Sequence, residues 1–181
     1  MRKILIIYST IIHLNKSQIF YQIFYRIKRL IIYPTNKSYA LKIHRINWNN
    51  DICNLTTYKG DKSFLFLNIK HKFTNIIDWN YNKYGKLWTY NLNYFDFLNQ
   101  NHLSKEIGIN LILDYIKNDQ ILIDGKESYP ISLRGINWVK FLTKNEIENP
   151  LVNNTLFNHY KILYNNIEYH LLGNHLLENA F

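Results

Sequence analysis

Between Ser17 and Ile32 the apolar residues Ile19, Ile23, Phe24, Ile27, Leu30 and Ile31 recur at the spacing of one helical face. This predicts an amphipathic helix, ended by Pro34. Arg26, Lys28 and Arg29 gather toward its end, where the helix dipole favours positive charge. Such a helix can pack on the rest of a domain or lie on a membrane surface; clustering at the end, and not along a face, argues for packing. Residues 38–70 alternate apolar and polar positions in "SYALKIHRI" and "SFLFLNI", with Lys59-Gly60-Asp61-Lys62 as a turn between short strands. Asp78 to Tyr90 holds Trp79 and Trp88 around Gly85 and reads as an ordered loop.

Helical patterning resumes near residue 89, with "NYFDFL" beginning one helix. Ser104 is placed to cap the next, "SKEIGINLILDYIKN", whose buried stripe is Ile107, Leu111, Ile112 and Tyr115. "DGKES" is a loop, and Pro130 suits the first turn of the helix "ISLRGINWVKFL". After a loop at Asn149-Pro150, a long helix is expected from about Thr155 to Leu172. The expected fold is therefore mainly α, a run of antiparallel helical hairpins with a few short strands in the first half. The division is residues 1–85, an N-terminal helix and strand segment, and 86–181, a helical region.

Hydrophobic residues make up 47% of the 181 positions, enough for a core, and the 19% charged residues are too few for a disordered chain. The net charge of +9 favours a polyanionic partner: nucleic acid, anionic lipid or acidic polysaccharide. Cys53 is the single cysteine, so neither a disulfide framework nor a thiolate metal site can form within the chain. The opening "MRKILIIYSTIIHL" has the basic start of a signal peptide, but no A-x-A site follows and the run is too short to cross a bilayer. A mature, packed segment is expected there.

Three stretches carry candidate chemistry. "KLWTYNLNYFDFL" (86–98) mixes Trp88, Tyr90, Asn91, Asn93 and Tyr94. Rings and amides together suit the apolar faces and hydroxyl edges of sugars, or stacked bases; they equally suit a buried aromatic junction. In "YPISLRGINWVKFL" (129–142), Arg134, Asn137 and Trp138 share one helix side. There Arg134 can pair with a carboxylate or sulfate beside the Trp138 platform, or pack along the ring while its head caps a neighbouring helix. In "EYHLLGNHLLENAF" (168–181), His170, Asn174 and Glu178 follow at i, i+4 and i+8, and Glu178 is placed to orient His175. If a helix restarts at Gly173-Asn174, Asn174 serves as its N-cap. No zinc motif, Gly-rich phosphate loop or nucleophile elbow is present.

Taken in order, W-x-Y-N-L-x-Y-F-D-x-L, Y-P-x-S-L-R-x-x-N-W-x-K-F and E-Y-H-L-L-G-N-H-L-L-E-N-A resemble the heparinase II/III-like polysaccharide lyases, a group related to alginate lyases. "LNKSQIFYQIFYRIKR" is similar to their N-terminal helix. The resemblance implies an α/α toroid of helical hairpins, here incomplete, followed in the family by a β-sandwich. It also implies cleavage of uronic-acid polysaccharide by β-elimination, without metal or other cofactor. The C5 proton of a uronate becomes acidic only when the neighbouring carboxylate charge is neutralised, after which a base and an acid complete the elimination.

By the same resemblance, Asn174 matches the carboxylate-facing Asn, His175 the adjacent site His and Glu178 a site acid. Tyr90, Asn91, Asn93, Tyr94, Arg134, Asn137 and Trp138 would line the sugar cleft. Asn93 stands where the family form "NLHYF" has His, which argues against proton transfer at position 93. The family's catalytic Tyr and second His belong to later sequence, so the expectation is the front part of a longer lyase, inactive alone. Its partners are then an anionic polysaccharide and the remaining C-terminal part as a separate chain, with nucleic acid not expected; the compartment is periplasmic by resemblance only. The rival readings are a basic, aromatic-rich binder of single-stranded nucleic acid and a carbohydrate-binding remnant without chemistry.

Overall fold

The computed structural model describes residues 12–31, 55–171 and 173–180. The opening segment before Ile12, the candidate strand "SYALKIHRI", Pro34, Cys53 and Leu172 lie outside the described residues. The chain forms two compact units: residues 1–40 with 166–181, and residues 41–165. The described residues are mainly helical, with six α-helices and one two-stranded sheet.

In the first unit, α1 (Lys16–Ile31) starts one residue before the predicted helix. Asn15 and Gln18 cap it reciprocally: Gln18 N donates to Asn15 Oδ1 at 2.8 Å, and Asn15 N to Gln18 Oε1 at 2.9 Å. That satisfies backbone donors which the first turn leaves without intrahelical partners. One side of α1 packs on the segment around 167–170. Tyr21 stacks on Tyr169 with centroids 4.9 Å apart, Tyr25 Oη donates to Ile167 O at 2.6 Å, and His170 meets the Tyr25 ring edge-on.

The second unit begins with a hairpin, β1 (Ser63–Phe66) and β2 (Ile69–Lys72), paired antiparallel with Phe64 opposite His71. The turn at 59–62 is present, Ser63 N donating to Gly60 O at 2.9 Å. "SFLFLNI" is not one strand, however: Leu67 and Asn68 both take positive φ, 52° and 63°, and reverse the chain. A two-residue reversal of this hand matches the twist of the flanking strands. Phe64 and Phe66 then face inward, at 0% and 4% exposure.

The helices are α2 (Lys86–Tyr94), α3 (Lys105–Lys117), α4 (Ser128–Lys144) and α5 (Pro150–Asn165). Helix α2 starts inside the predicted loop, because Gly85 at φ 88° turns the chain into it. It stops where "NYFDFL" was expected to begin a helix: Phe95 adopts a left-handed conformation and a 3-10 turn follows at Asp96–Asn99. Ser104 caps α3 as predicted, its Oγ accepting from Ile107 N at 3.3 Å. Ile107 itself is exposed; Gly108 takes its place on the buried face, since the Phe141 ring lies where a Cβ would stand. Pro130 lies in the first turn of α4. Asn149 Oδ1 accepts from Leu151 N and Val152 N, so α5 starts earlier than predicted and ends at Asn165. In the first unit α6 (Gly173–Ala180) is separate from it.

The second unit's core is aromatic. Trp79 stacks on Phe95 at 5.0 Å, and Tyr115 and Trp138 meet Phe95 edge-on at 5.0 and 5.4 Å. Trp88 joins the hairpin to α2 by donating to Ile69 O at 3.2 Å. Burying a side chain such as Phe95 contributes about 1.5–3 kcal/mol, and tilted aromatic pairs add about 0.5–1.5 kcal/mol each. No helix among the described residues is long and apolar enough to cross a membrane.

Candidate functional site

The first two sequence blocks meet where α2 packs against α4. Arg134, Asn137 and Trp138 do share one side of α4, and that side is buried. Arg134 Nη1 donates to Asn93 O at 3.2 Å and to Gly125 O at 2.9 Å. Its guanidinium carbon lies 4.8 Å from the Tyr115 ring centre and 6.0 Å from that of Trp138. The arginine thus runs over aromatic rings and caps the end of α2 with its head. Asn137 Nδ2 donates to Tyr94 O at 3.0 Å and to the Asp96 carboxylate, closing the carbonyls that the end of α2 leaves open. Asn93 Nδ2 donates to Trp79 O and Thr89 O, at 2.9 and 2.8 Å. Asn93 Oδ1 faces the Cα of Gly125, where a Cβ would stand 2.2 Å from it.

Residues far apart in sequence complete this buried group. Arg134 Nη2 lies 3.2 Å from His159 Nδ1, and His159 Nε2 lies 2.8 Å from Asp119 Oδ1. Arginine can only donate, so Nδ1 accepts, and the ring proton sits on Nε2 and is donated to Asp119. Burial, with the Arg134 charge beside it, lowers the His159 pKa to about 4, so the ring is neutral near pH 7. Burial pushes the Asp119 carboxyl up, but hydrogen bonds from His159 and Lys126 outweigh it and hold it at about 2. Lys126 Nζ donates to Asp119 Oδ2 at 2.9 Å. Burial raises the Tyr115 hydroxyl to about 12, leaving it protonated. None of Asp119, His159 and Lys126 belonged to a sequence block, because their partners lie 7, 25 and 40 residues away.

Outside this buried group, a more accessible set remains on α2 and the start of α4. Tyr90 is half-buried and its hydroxyl donates to Glu127, which also takes Lys86 Nζ at 2.6 Å. Lys86 lies 5.2 Å over the Tyr90 ring; Tyr94, predicted to line a cleft, is buried beneath this set and meets the rings of Tyr90 and the half-buried Tyr129 at 6.1 and 5.8 Å. Asn91, half-buried, donates to Leu87 O within its own helix.

The third block lies in the first unit. Asn174 is exposed in the first turn of α6, after Gly173 at φ 59°. The i, i+4, i+8 row of His170, Asn174 and Glu178 does not form, because His170 belongs to a turn before the helix. His175 is oriented by Glu168: His175 Nδ1 lies 3.1 Å from Glu168 Oε2. Glu178, the residue expected to orient it, is half-buried on α6. Glu168 N donates to the buried Asn179 Oδ1 at 2.8 Å, which ties the turn to α6. Glu168 and Asn179 were within the quoted stretch but unassigned; the Gly173 break hid a partnership seven residues long. The Glu168 carboxylate can only accept, so His175 Nδ1 carries the proton of this bond.

Among the described residues, no group of three His, Cys, Asp or Glu could hold a metal ion. Compared with protein-family models, curated proteins and solved structures, the chain matches none.

Proposed function

We propose that the chain supplies the N-terminal helical part of a polysaccharide lyase, related to the heparinase II/III-like group, that cleaves uronic-acid polysaccharide by β-elimination. The carrying observation is the meeting of the first two blocks: the residues that spell the resemblance, Arg134 and Asn137, are those that join α4 to the end of α2. In this reading Arg134, Asn137, Asn93, Trp138 and the buried Tyr94 are the frame, and Tyr90 and Asn91 present a ring and an amide to sugar. The helices would form one stretch of an α/α toroid. Asn174 would hold the uronate carboxylate, neutralising charge as the C5 proton leaves, while His175, held by Glu168, would accept or return a proton. The family's further Tyr and His would come from other sequence, so the 181 residues alone are not expected to turn over.

The test mixes the purified chain with alginate, heparan and capsule polysaccharides, following binding and the ultraviolet absorbance of unsaturated uronate. Binding without absorbance is expected, weakened about tenfold by Tyr90→Ala, the loss of one stacking platform. Turnover by the chain alone would refute the incomplete site. Tight single-stranded DNA or RNA binding with no polyuronate binding would instead favour the nucleic-acid reading.

A further inference from the structure

Helix α1 has two unlike sides. Its tyrosine side, Tyr21 and Tyr25, packs within the first unit. The other side carries Phe20, Ile23, Phe24 and Ile27 at i, i+3, i+4 and i+7, and these are 61%, 53%, 44% and 49% exposed. Four large apolar residues in a continuous stripe are not the scattered exposure of an ordinary surface. The Phe20 and Phe24 rings lie nearly parallel, 6.1 Å apart, and so present a joined aromatic face.

The charge on this helix is of one sign. "KSQIFYQIFYRIKRLI" contains Lys16, Arg26, Lys28 and Arg29 and no acidic residue. The basic residues gather toward the helix end in sequence, which argued for packing. Around the helical wheel, however, Arg26 borders the exposed stripe on one side, Lys28, whose Nζ lies 5.9 Å over the Tyr25 ring, borders it on the other, and Lys16 lies on its N-terminal continuation. The long side chains of Lys16 and Arg26 can extend toward phosphates while the apolar stripe enters the acyl boundary. A protein partner would have to cover the aromatic stripe and also provide acidic groups along both borders. An anionic bilayer supplies both at once.

We propose that α1 docks this protein onto an anionic membrane surface, lying in the interface with the Phe20/Ile23/Phe24/Ile27 stripe facing the lipid. The helix lies on the bilayer and does not cross it; its 16 residues and four positive charges suit the interfacial region. The tyrosine side stays on the turn at 167–170, so docking requires no rearrangement of the described contacts. The inference is independent of the lyase reading: it concerns where the protein works, not what it cleaves.

The full chain is sedimented with phosphatidylcholine vesicles, with and without about one-third phosphatidylglycerol. Binding is expected on the anionic vesicles, weaker by about tenfold or more on the neutral ones. Phe20→Ser with Phe24→Ser should weaken it by about tenfold or more at an unchanged helical circular dichroism signal. Lys16→Glu with Arg26→Glu, which leaves the apolar stripe intact, should weaken anionic-vesicle binding by about tenfold and remove most of its salt dependence. No sedimentation with anionic vesicles overturns the proposal. So does binding indifferent to both double variants, which would reflect the +9 net charge acting elsewhere. A dimer seen by analytical ultracentrifugation and abolished by the serine pair would likewise overturn it, assigning the stripe to a second copy.

Discussion

Two carboxylate–imidazole pairs in this protein have nearly the same geometry, but their rings differ in exposure. Asp119 and His159 are 2.8 Å apart, and the His159 side chain is 4% exposed; Glu168 and His175 are 3.1 Å apart, and the His175 side chain is 35% exposed. In the first pair the ring bonds on both sides, to Asp119 and to Arg134. In the second, the carboxylate orients a ring that borders solvent. Pairing of an acid with a histidine therefore does not mark chemistry. Burial decides whether the imidazole fixes a core or remains accessible to a substrate.

The largest test of the buried side is Arg134→Met. It removes the donor to Asn93 O, Gly125 O and His159 and leaves Asp119 with less compensating charge. Breaking one partner of a buried charged network costs about 3–5 kcal/mol, to be read from urea unfolding. A loss under about 1 kcal/mol would show that Arg134 is not a support for α2.

Next comes pH. The His159 pKa is lowered from 6.5 to about 4 in the folded chain, so the unfolded chain takes up the proton first as pH falls. The contribution is fully present above about pH 6.5 and is lost progressively as pH drops to about 4. A shift of that size is worth about 3 kcal/mol. His159→Gln, whose amide can accept from Arg134 and donate to Asp119, should flatten the stability profile between those limits. An unchanged slope would place the pH sensitivity in other groups. The depressed Asp119 adds loss in the same direction only below about pH 4, its ordinary value being 3.8.

What could be read in the sequence was local. Ser104 and Asn149 cap helices through neighbours two or three residues away, and Pro130 sits in the first turn as its missing N–H allows. The hairpin turn was missed because Leu67 and Asn68 carry neither Gly nor Pro, and the reversal there rests on pairing of the flanking strands. The end of α5 at Asn165 was missed for a similar reason: "YNNIEYH" contains no breaker. Helical spacing correctly grouped Arg134, Asn137 and Trp138, but it does not say whether an aromatic-rich side faces inward or into a cleft. The partners that decide this, Asn93 O and His159, stand 41 and 25 residues from Arg134.

Gly125 tests how tightly the buried group closes. An added Cβ would meet Asn93 Oδ1 at 2.2 Å and the Tyr115 hydroxyl at 2.6 Å, both on side chains held within the core. Gly125→Ala should therefore cost about 1–3 kcal/mol, as overpacking does, and shift the unfolding midpoint without changing the denaturant slope. A neutral result would mean that Asn93 and Tyr115 move aside freely, and that the packing around Arg134 is looser than its burial suggests.

The smallest effect is expected at the second pair, where the ring is the more exposed partner. Glu168→Gln removes the charge beside His175 and keeps the Glu168 backbone N–H that Asn179 accepts. With the imidazole partly solvated, water replaces much of the lost attraction, and stability should change by less than about 1 kcal/mol. The change should instead appear in the ring. Nitrogen-detected NMR of His175 should show the ring proton moving from Nδ1 toward Nε2, because the carboxylate no longer favours Nδ1–H. If Glu168→Gln destabilised the fold as strongly as Arg134→Met, the contrast between the two pairs would collapse and His175 would count as a second structural histidine. If the ring tautomer shifts while stability holds, Glu168 sets the proton position of a ring on which the fold does not depend.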